Sequence, residues 1–298
     1  MRLSPVLINI FLLAQIEVVM AAANNGGSQN DCRVVDGTIV CTSFVDHLSN
    51  LPPVEKGRAL YQVADQKHGP LMGYGSPGYG DSQSKFVAVV KNKDGYESVR
   101  EVRLKYFENA PEGNMRLITF EKPKDLKRHA LLTISYKAGE DEQWVFDPDN
   151  KQVRRILSNN AFTPFSGTEI TFEDISSQDV DKYTYEFLKN DTLDNQPHYV
   201  VNRFPKDKYS GYSRLETWIS TETYLITKIN YFDHGNKLLK TLSLNDYKKY
   251  EGKFWRASSM NMENYQTGKT TELTWSDYRF NTGLNANDFS LTSLRNSN

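Results

Sequence analysis

Adjacent carboxylates and a short acidic turn are the residues whose spacing comes nearest to acid–base or metal chemistry. Glu173 and Asp174 stand side by side, but neighbouring residues on a short helix point in different directions and do not converge on one reacting atom. Residues 147–150 (DPDN) imitate the start of a calcium loop, yet the later glycine and the terminal glutamate of such a loop are missing. A proline at the second position is typical of a type I turn. We therefore predict a hairpin turn here and no metal site.

The other patterns that would indicate an enzyme or a cofactor are incomplete. Residues 73–78 (GYGSPG) match G-x-G-x-x-G, but no strand precedes them and Pro77 would interrupt an anion-binding turn. The sequence contains no G-x-S-x-G elbow for a serine nucleophile. Its histidines show no metal-binding pattern such as H-E-x-x-H; they are His47, His68, His129, His198 and His234. No cluster supplies a nucleophile, a base and an electrophilic stabiliser together, so we predict a protein that is not an enzyme and needs no cofactor.

Two cysteines flank a segment with an Asp-Gly pair at its centre. Asp36-Gly37 between β-branched residues is the sequence pattern of a two-residue hairpin turn. Pairing outward from this turn sets Cys32 opposite Cys41, at a non-hydrogen-bonded position where Cα atoms approach to about 4.5 Å, within reach of a disulfide. A metal or redox pair is disfavoured because no histidine or third cysteine is nearby and the spacing is not C-x-x-C. We predict a Cys32–Cys41 disulfide, formed in an oxidising compartment.

The N-terminus has the three parts of a secretory signal. Arg2 supplies the positive charge, residues 6–16 the apolar stretch, and Ala21 to Ala23 the small-residue cleavage site. The apolar stretch is shorter than the roughly 20 residues that span a bilayer; an uncleaved or buried helix is the alternative. We expect residues 1–23 to be removed near Ala23. Residues 24–53 would then form a leader with the disulfide hairpin, and residues 54–298 the main domain.

Charge and composition exclude several classes of protein. The 298 residues carry 36 Lys+Arg and 37 Asp+Glu, a formal charge of −1, whereas a nucleic-acid binder needs a clustered cationic excess. A hydrophobic fraction of 38% and a mean hydropathy of −0.61 argue against an integral membrane protein. Aromatic residues at 12% argue against a disordered chain. A soluble, β-rich protein remains.

The hydrophobic pattern predicts one helix followed by a long meander of strands. Residues 54–67 have apolar positions on one side of a helix and end before Gly69-Pro70. From Lys85 onward, alternating strands are separated by turn signals too short for anything but antiparallel pairing. The predicted strands are 85–90, 96–107, 115–121, 130–137, 143–147, 151–157, 182–189, 198–204, 212–220, 224–232, 237–245, 254–264 and 270–280. Alternation predicts a sheet with one buried face and one wet face, and a phase shift within 96–107 indicates a bulge or a strong bend.

Residues 158–180 interrupt the meander. This segment has four large apolar residues among small or acidic ones: Phe162, Phe165, Phe172 and Ile175. It suits an apolar plug over the concave side of the sheet, or a surface loop whose aromatic residues pack into the rim. An apolar concave face on an exported protein suits the carriage of an apolar cargo, although such a face can also be simply the core.

Several motifs in fixed order resemble one known family. They are FEKPKD at 120–125, ALL at 130–132, WVFDP at 144–148, VRRI at 153–156 and FSGTEITFED at 165–174, with Tyr183-x-Tyr185 beyond. Together they resemble the LolA-like family of outer-membrane lipoprotein-sorting proteins, from about Gly57 to the C-terminus. Glu169 stands where that family more often has aspartate, and Ser166 where it has a larger apolar residue, which bears on the cargo.

The resemblance implies a fold and a function. The fold is mainly β, an unclosed antiparallel β-barrel with a few helices plugging its concave face. The function is periplasmic binding of lipid or lipoprotein acyl chains in a hydrophobic cavity, for transfer towards the outer membrane. An RND-type inner-membrane exporter is the partner implied. The alternative is an accessory subunit that docks on such an exporter and binds no lipid.

The resemblance also implies which residues bind. The sheet residues Trp144, Phe146 and Ile156 are expected near the cavity mouth. The four apolar residues of the interruption are expected in a plug that moves when cargo enters: Phe162, Phe165, Phe172 and Ile175.

Two neighbouring arginines are the candidates for polar contacts. Arg154 and Arg155 would hold the plug by hydrogen bonds or meet an anionic headgroup. Adjacent residues of a strand face opposite ways, so only one of them can do either.

Overall fold

The computed structural model describes residues 30–35, 38–68, 80–109, 113–136, 139–252 and 254–297, without the side chains of 30–43, 67 and 68. The expected signal peptide and the Asp36-Gly37 turn lie outside these residues. The backbone of the first hairpin pairs Cys32 with Cys41, which is the predicted register. Their side chains lie outside the described part, so the disulfide stays a prediction.

Four α-helices lie in the described residues, and the second is the long one. They are α1 (Phe44–Ser49), α2 (Pro53–His68), α3 (Phe172–Ile175) and α4 (Leu291–Arg295). Helix α2 confirms the predicted helix: it begins at a proline, which suits a first turn, and it buries Ala59, Leu60, Val63 and Ala64. None of the described helices is long and apolar enough to cross a membrane.

Fifteen strands make up most of the rest of the described chain. They are β1 (Asn30–Val35), β2 (Thr38–Ser43), β3 (Asp81–Lys91), β4 (Glu97–Phe107), β5 (Asn114–Lys122), β6 (Ala130–Ser135), β7 (Glu142–Asp147), β8 (Gln152–Ile156), β9 (Tyr183–Leu193), β10 (Gln196–Pro205), β11 (Arg214–Ser220), β12 (Ile226–Phe232), β13 (Leu238–Tyr250), β14 (Phe254–Asn264) and β15 (Lys269–Phe280). Short 3₁₀ turns span Ser158–Asn160, Val180–Lys182 and Ala286–Phe289.

Strands β3 to β15 form one antiparallel sheet that does not close. Its order is β8-β7-β6-β5-β4-β3-β15-β14-β13-β12-β11-β10-β9, so β8 and β9 are the two edges. This confirms the expected unclosed barrel. The two edge strands follow one another in the chain, and the interruption that joins them crosses the concave face. The predicted bulge is also present, as a register shift between Glu101 and Val102 of β4.

The main core fills the concave side of the sheet. It brings together apolar residues of α1, α2, the sheet and residues 165–180. A second cluster lies on the other face of β5, β6 and β7, where Leu117, Leu132 and Phe146 pack against Phe289 and Leu294. The prediction of one wet face is therefore wrong at these strands, because the C-terminal segment covers them.

Helix α2 packs against the edge strand β9 at very short range. A Cβ added at Gly57 would lie 2.7 Å from the backbone N of Phe187 and 2.8 Å from the carbonyl carbon of Glu186. Such contacts are closer than packed atoms tolerate, so only glycine allows this approach. The neighbouring Lys56 lies with its Nζ 3.9 Å from the ring centre of Phe187, which fixes the helix on the same strand.

Replacing Gly57 with alanine is expected to destabilise the fold by about 1–3 kcal/mol, because overpacking against backbone forces the helix away from β9. The intrinsic preference of a helix for alanine over glycine, about 1 kcal/mol, works in the opposite direction. Urea unfolding checks this, with Gln66→Ala on the exposed side of α2 as the control. A Gly57→Ala protein as stable as the wild type would show that α2 does not dock this closely.

Candidate functional site

An apolar cavity lies between the sheet and residues 158–180, the segment called the plug from here on. Its walls come from β3, β4, β5 and β15, including Ala88, Val102 and Ile118, and from the plug residues Phe165 and Ile175. The surface that these walls present is entirely apolar. Apolar walls favour a hydrocarbon over water, since water needs polar partners to enter.

The cavity is small. Its volume is about 30 Å³, enough for about one water molecule, whereas sites for small molecules span roughly 300–1,000 Å³. An acyl chain therefore fits only after the plug moves.

Aromatic packing seats the plug on the concave face. Phe165 lies between Phe120 of β5 and Phe172 of α3, with ring centres 5.4 Å apart in both pairs. Ile175 is 1% exposed. Full burial of such side chains stabilises by about 1.5–3 kcal/mol each, so the plug contributes substantially to the core.

A buried ion pair joins the plug to the sheet. Nζ of Lys240 on β13 lies 2.5 Å from Oδ2 of Asp174 on α3, and the two side chains are only 2% and 3% exposed. The hydroxyl of Tyr212 donates to Oδ1 of Asp174 at 2.8 Å. Asp174 also accepts the backbone N–H of Thr171, whose hydroxyl in turn accepts the N–H of Asp174, a capping box that starts α3. Lys240 donates further to the carbonyl of Glu169 at 3.1 Å.

Side chains of the concave face bond to plug carbonyls. Arg116 Nη1 donates to the carbonyl of Ile175 at 2.5 Å, and Gln143 Nε2 donates to that of Phe172 at 3.0 Å. Arg100 Nε donates to the carbonyl of Ser166 at 3.1 Å. The carbonyl of Phe172 also accepts the backbone N–H and the hydroxyl of Ser176, so these side chains of the sheet add to the hydrogen bonds that the plug makes within itself.

Two further acidic residues of the plug contact the sheet and a loop. The Glu169 carboxylate accepts from Asn264 Nδ2 at 2.6 Å. The Glu173 carboxylate accepts the hydroxyl of Ser210 and the backbone N–H of Gly211, the latter at 2.8 Å. Burial raises the pKa of Glu173 to about 7.

The plug residues expected from the sequence occupy two environments. Phe165, Phe172 and Ile175 belong to the main core. Phe162 is instead 51% exposed and packs over Gly211, where an added Cβ would lie 2.8 Å from the Cβ of Phe162. Ile156 of β8 packs against the main core.

Trp144 and Phe146 lie on the other face of the sheet. Both belong to the second cluster, with Phe289 and Leu294, whereas their neighbour Val145 packs against the main core. Successive residues of a strand point to opposite faces, so these two are separated from the cavity. The expectation that they lie near its mouth is not met.

The two arginines of β8 do not hold the plug. Arg154 is exposed, and Arg155 Nη2 lies 3.3 Å from Oε1 of Glu142, with its guanidinium over the ring of Trp144. In the part of the chain that the structure describes, the sheet side chains that bond to the plug are those of Arg100, Arg116, Gln143, Tyr185, Arg203, Lys240, Asn264 and Thr271.

Sequence patterning offers a signal for these residues. Lys240 is in phase with Leu242 and Leu244 along β13, and Arg116 is in phase with Ile118 and Phe120 along β5. A charged residue on the apolar face of a strand needs a buried partner, and the partner lies in the segment that covers that face.

The predicted hairpin turn at residues 147–150 is confirmed. Asp147 accepts the N–H of Asp149 at 3.0 Å and the side-chain amide of Asn150 at 2.7 Å. The hydrogen bond from Asn150 is the main cause that lowers the pKa of Asp147. His129 Nε2 lies 3.7 Å from the same carboxylate, an ordinary surface contact.

Replacing Lys240 with methionine is expected to cost about 3–5 kcal/mol of stability, because it leaves Asp174 buried without its cation. The neutral pair Asp174→Asn/Lys240→Met is expected to recover part of this loss. Urea unfolding measures both, with Lys237→Met at an exposed position as the control. A Lys240→Met loss below about 1 kcal/mol would contradict the buried pair.

Raising the pH from about 5 to 8 is expected to weaken the docking of the plug. The docked Glu173 holds its proton up to about pH 7, whereas a released carboxyl titrates near pH 4.3. The docked state therefore binds more protons between these values, and its advantage falls as pH rises, by an amount on the order of 1–3 kcal/mol.

Hydrogen exchange of residues 158–180, corrected for intrinsic rates, measures this dependence. The Glu173→Gln protein should show a flatter profile. This difference separates Glu173 from Asp65, whose pKa burial raises to about 8. Equal pH profiles for the two proteins would rule out Glu173 as the cause.

Comparison with known proteins places the chain in a family. A family model described as an uncharacterized protein matches residues 112–296, and a comparison with curated proteins finds no match. A crystal structure described as an outer membrane lipoprotein-sorting protein domain, from Vibrio parahaemolyticus, is 38% identical; it covers 81% of this chain and 99% of its own, with a TM-score of 0.76.

Two further structures share the fold. A DUF1329 family protein from Desulfovibrio piger is 28% identical over 82% of this chain and all of its own (100%), with a TM-score of 0.74. A LolA superfamily protein from Nitrosomonas europaea is 18% identical over 78% of this chain and 97% of its own, with a TM-score of 0.62. With its open antiparallel sheet and covered concave face, the chain belongs to the LolA-like family of outer membrane lipoprotein-sorting proteins.

Proposed function

We propose that this protein is a periplasmic carrier that holds the acyl chains of a lipid or lipoprotein between the sheet and the plug and transfers them towards the outer membrane. The apolar cavity under the plug is the observation that carries this proposal. The relative from Vibrio parahaemolyticus, whose description is lipoprotein sorting, supports it. Export by the signal peptide and oxidation of the Cys32–Cys41 pair would both fit this compartment.

The plug is the element that would move. It joins the two edge strands of an open sheet and contains only α3 and two short 3₁₀ turns as regular structure, so its displacement breaks no strand pairing. The walls opposite belong to a hydrogen-bonded sheet and stay in place. Carriage then needs binding and release, and no covalent step.

The energies of opening and of cargo binding are of similar size. Exposing the apolar side chains Phe165, Phe172 and Ile175 would cost roughly 5–9 kcal/mol. Separating the Lys240–Asp174 pair adds little to this cost, because both charges regain their hydration on opening. A buried chain of about twelve carbons would contribute about 10 kcal/mol, at about 0.8 kcal/mol per methylene. A near balance between the cost of opening and the gain from cargo binding suits a carrier, because a cargo bound much more tightly could not be released.

The exporter partner that the resemblance implies stays a prediction of the sequence. An accessory subunit that binds no lipid would have no use for a cavity whose walls are apolar and whose cover is held by hydrogen bonds. Lipid binding therefore distinguishes the two functions.

Filling the cavity is expected to abolish cargo binding. Ala88 lines it and is 2% exposed, whereas Ala130 is 3% exposed in the second cluster on the other face. Ala88→Leu should weaken binding of a fluorescent fatty acid at least tenfold, measured by titration. Ala130→Leu, the matched control, carries a similar overpacking cost of about 1–3 kcal/mol and should bind as the wild type does.

Native mass spectrometry gives an independent check. Mature protein purified from periplasm without detergent should carry lipid in a near-unit ratio. If wild-type protein binds no fluorescent fatty acid, the carrier function is wrong; if both alanine variants bind equally well, the acyl chain lies elsewhere.

A further inference from the structure

A groove with charged side chains at its rim and a mostly apolar lining lies at the open seam of the sheet, beside the plug. Its volume is about 530 Å³, within the range of small-molecule sites. One wall comes from residues 139–143 and 156–161, and the other from residues 181–183 and 205–210. The groove therefore occupies the gap between the strands at the two edges, where an unclosed barrel gives access to its interior.

Helix α3 separates this groove from the apolar cavity. Glu173 and the adjoining Ser176 line the groove, while Ile175 lines the cavity. Gln143 of β7 belongs to the groove wall and holds α3 through the carbonyl of Phe172 at 3.0 Å. Because α3 has only four residues and borders both spaces, an outward movement of this helix would join the groove to the cavity.

The two walls of the groove differ in charge. Glu140 stands exposed on the first wall, where its carboxylate accepts the hydroxyl of Ser158 at 2.7 Å. Lys206 and Lys208 stand exposed on the second wall, next to Asp207. Deeper in, Lys182 of the second wall pairs with Asp141 of the first. The rim thus offers the carboxylate of Glu140 on one side. On the other side it offers two ammonium groups, one of which (Lys206) donates to the carbonyl of Asp181 at 2.8 Å, and the carboxylates of Asp207 and of Asp181, which pairs with Arg58.

Apolar side chains at the rim point to an amphiphile rather than to a fully polar ligand. Leu157 and Tyr209 both line the groove, and they are 57% and 42% exposed. Phe162, 51% exposed, packs over Gly211, directly after the second wall. Large apolar side chains that stay exposed together around one opening indicate a surface that meets apolar groups.

From this arrangement, and resting on the proposed function, we infer that the groove binds the polar head of the cargo while its acyl chain lies in the cavity, and that the head is a zwitterion. Its anionic group would lie against Lys206 and Lys208, and its cationic group against Glu140. A phosphoethanolamine head has both charges at a separation of a few bonds. A purely anionic or purely cationic head would satisfy only one wall.

Displacement of an uncharged probe tests the inference. N-phenyl-1-naphthylamine reports the apolar cavity by its fluorescence, and three competitors share a 14-carbon chain: a lysophosphatidylethanolamine, a lysophosphatidylglycerol and an alkylammonium, each below its micelle concentration. The zwitterion should displace the probe at about threefold to fivefold lower concentration than either singly charged competitor, the range that partly exposed ion pairs supply.

Variants of each wall should remove one preference at a time. With Glu140→Gln, the zwitterionic and the anionic competitor should displace the probe at the same concentration. With Lys206→Gln/Lys208→Gln, the zwitterionic and the cationic competitor should do so. Glu222→Gln, beyond the far end of β11, and Lys93→Gln, in the β3–β4 turn, are the matched controls and should leave the order unchanged. None of these variants changes a residue of the cavity, so probe binding should persist in all of them.

The outcomes separate this inference from the function on which it rests. Equal displacement by all three competitors, with probe binding intact, overturns the head site and leaves the acyl carrier standing. If one of the singly charged competitors displaces the probe at the lowest concentration, the inference that the head is a zwitterion is wrong. Failure of the wild-type protein to bind the probe or a fluorescent fatty acid overturns both.

Discussion

The Lys240–Asp174 ion pair is the interaction on which the arrangement of the concave face depends. Lys240 lies in phase with the leucines of β13 and is 1% exposed, so without a partner it would be a bare charge among apolar groups. The capped turn at Thr171–Asp174 brings a carboxylate to it, and that turn also fixes Phe172 in the main core and Ile175 over the cavity. The ion pair therefore fixes one position for the plug, while the aromatic side chains supply most of its apolar burial.

The polar contacts that hold the apolar plug on the sheet have a physical consequence. Apolar contacts alone are non-directional and would let the plug settle in many positions over a greasy face. Hydrogen bonds from Arg100, Arg116 and Gln143 to plug carbonyls demand one geometry, yet their net contribution is modest because water replaces them on opening. The plug thus has one well-defined position on the sheet, and it can still be displaced at modest cost.

Local features were predictable from the sequence, and features that depend on distant segments were not. Helix α2, the strand alternation, the bulge in β4 and the register of Cys32 with Cys41 all follow from nearby residues. The pairing of β3 with β15 joins segments almost 200 residues apart, and no local pattern indicates it. The resemblance implies that Trp144 and Phe146 lie near the cavity mouth, whereas they pack on the opposite face. The C-terminal residues Phe289 and Leu294, which cover that face, have no signal in β7 itself. Arg154 and Arg155 stand out as a pair, whereas Arg116 and Lys240 are recognisable only once the face of each strand is known.

The gap between the edge strands β8 and β9 explains why the short helix α3 can border both the cavity and the groove. A closed barrel would have no edge strands and no gap between them, so a polar end of any cargo would have to leave through one of the barrel's ends. Here the chain crosses from β8 to β9 over the gap itself, and α3 faces the cavity with Ile175 and the groove with Glu173. An amphiphile has the same two-sided character as α3: an apolar part that needs burial and a polar part that needs water or charge. Displacing α3 would therefore exchange one amphipathic element for another, which keeps both the apolar cavity and the groove with its charged rim occupied by groups that suit them.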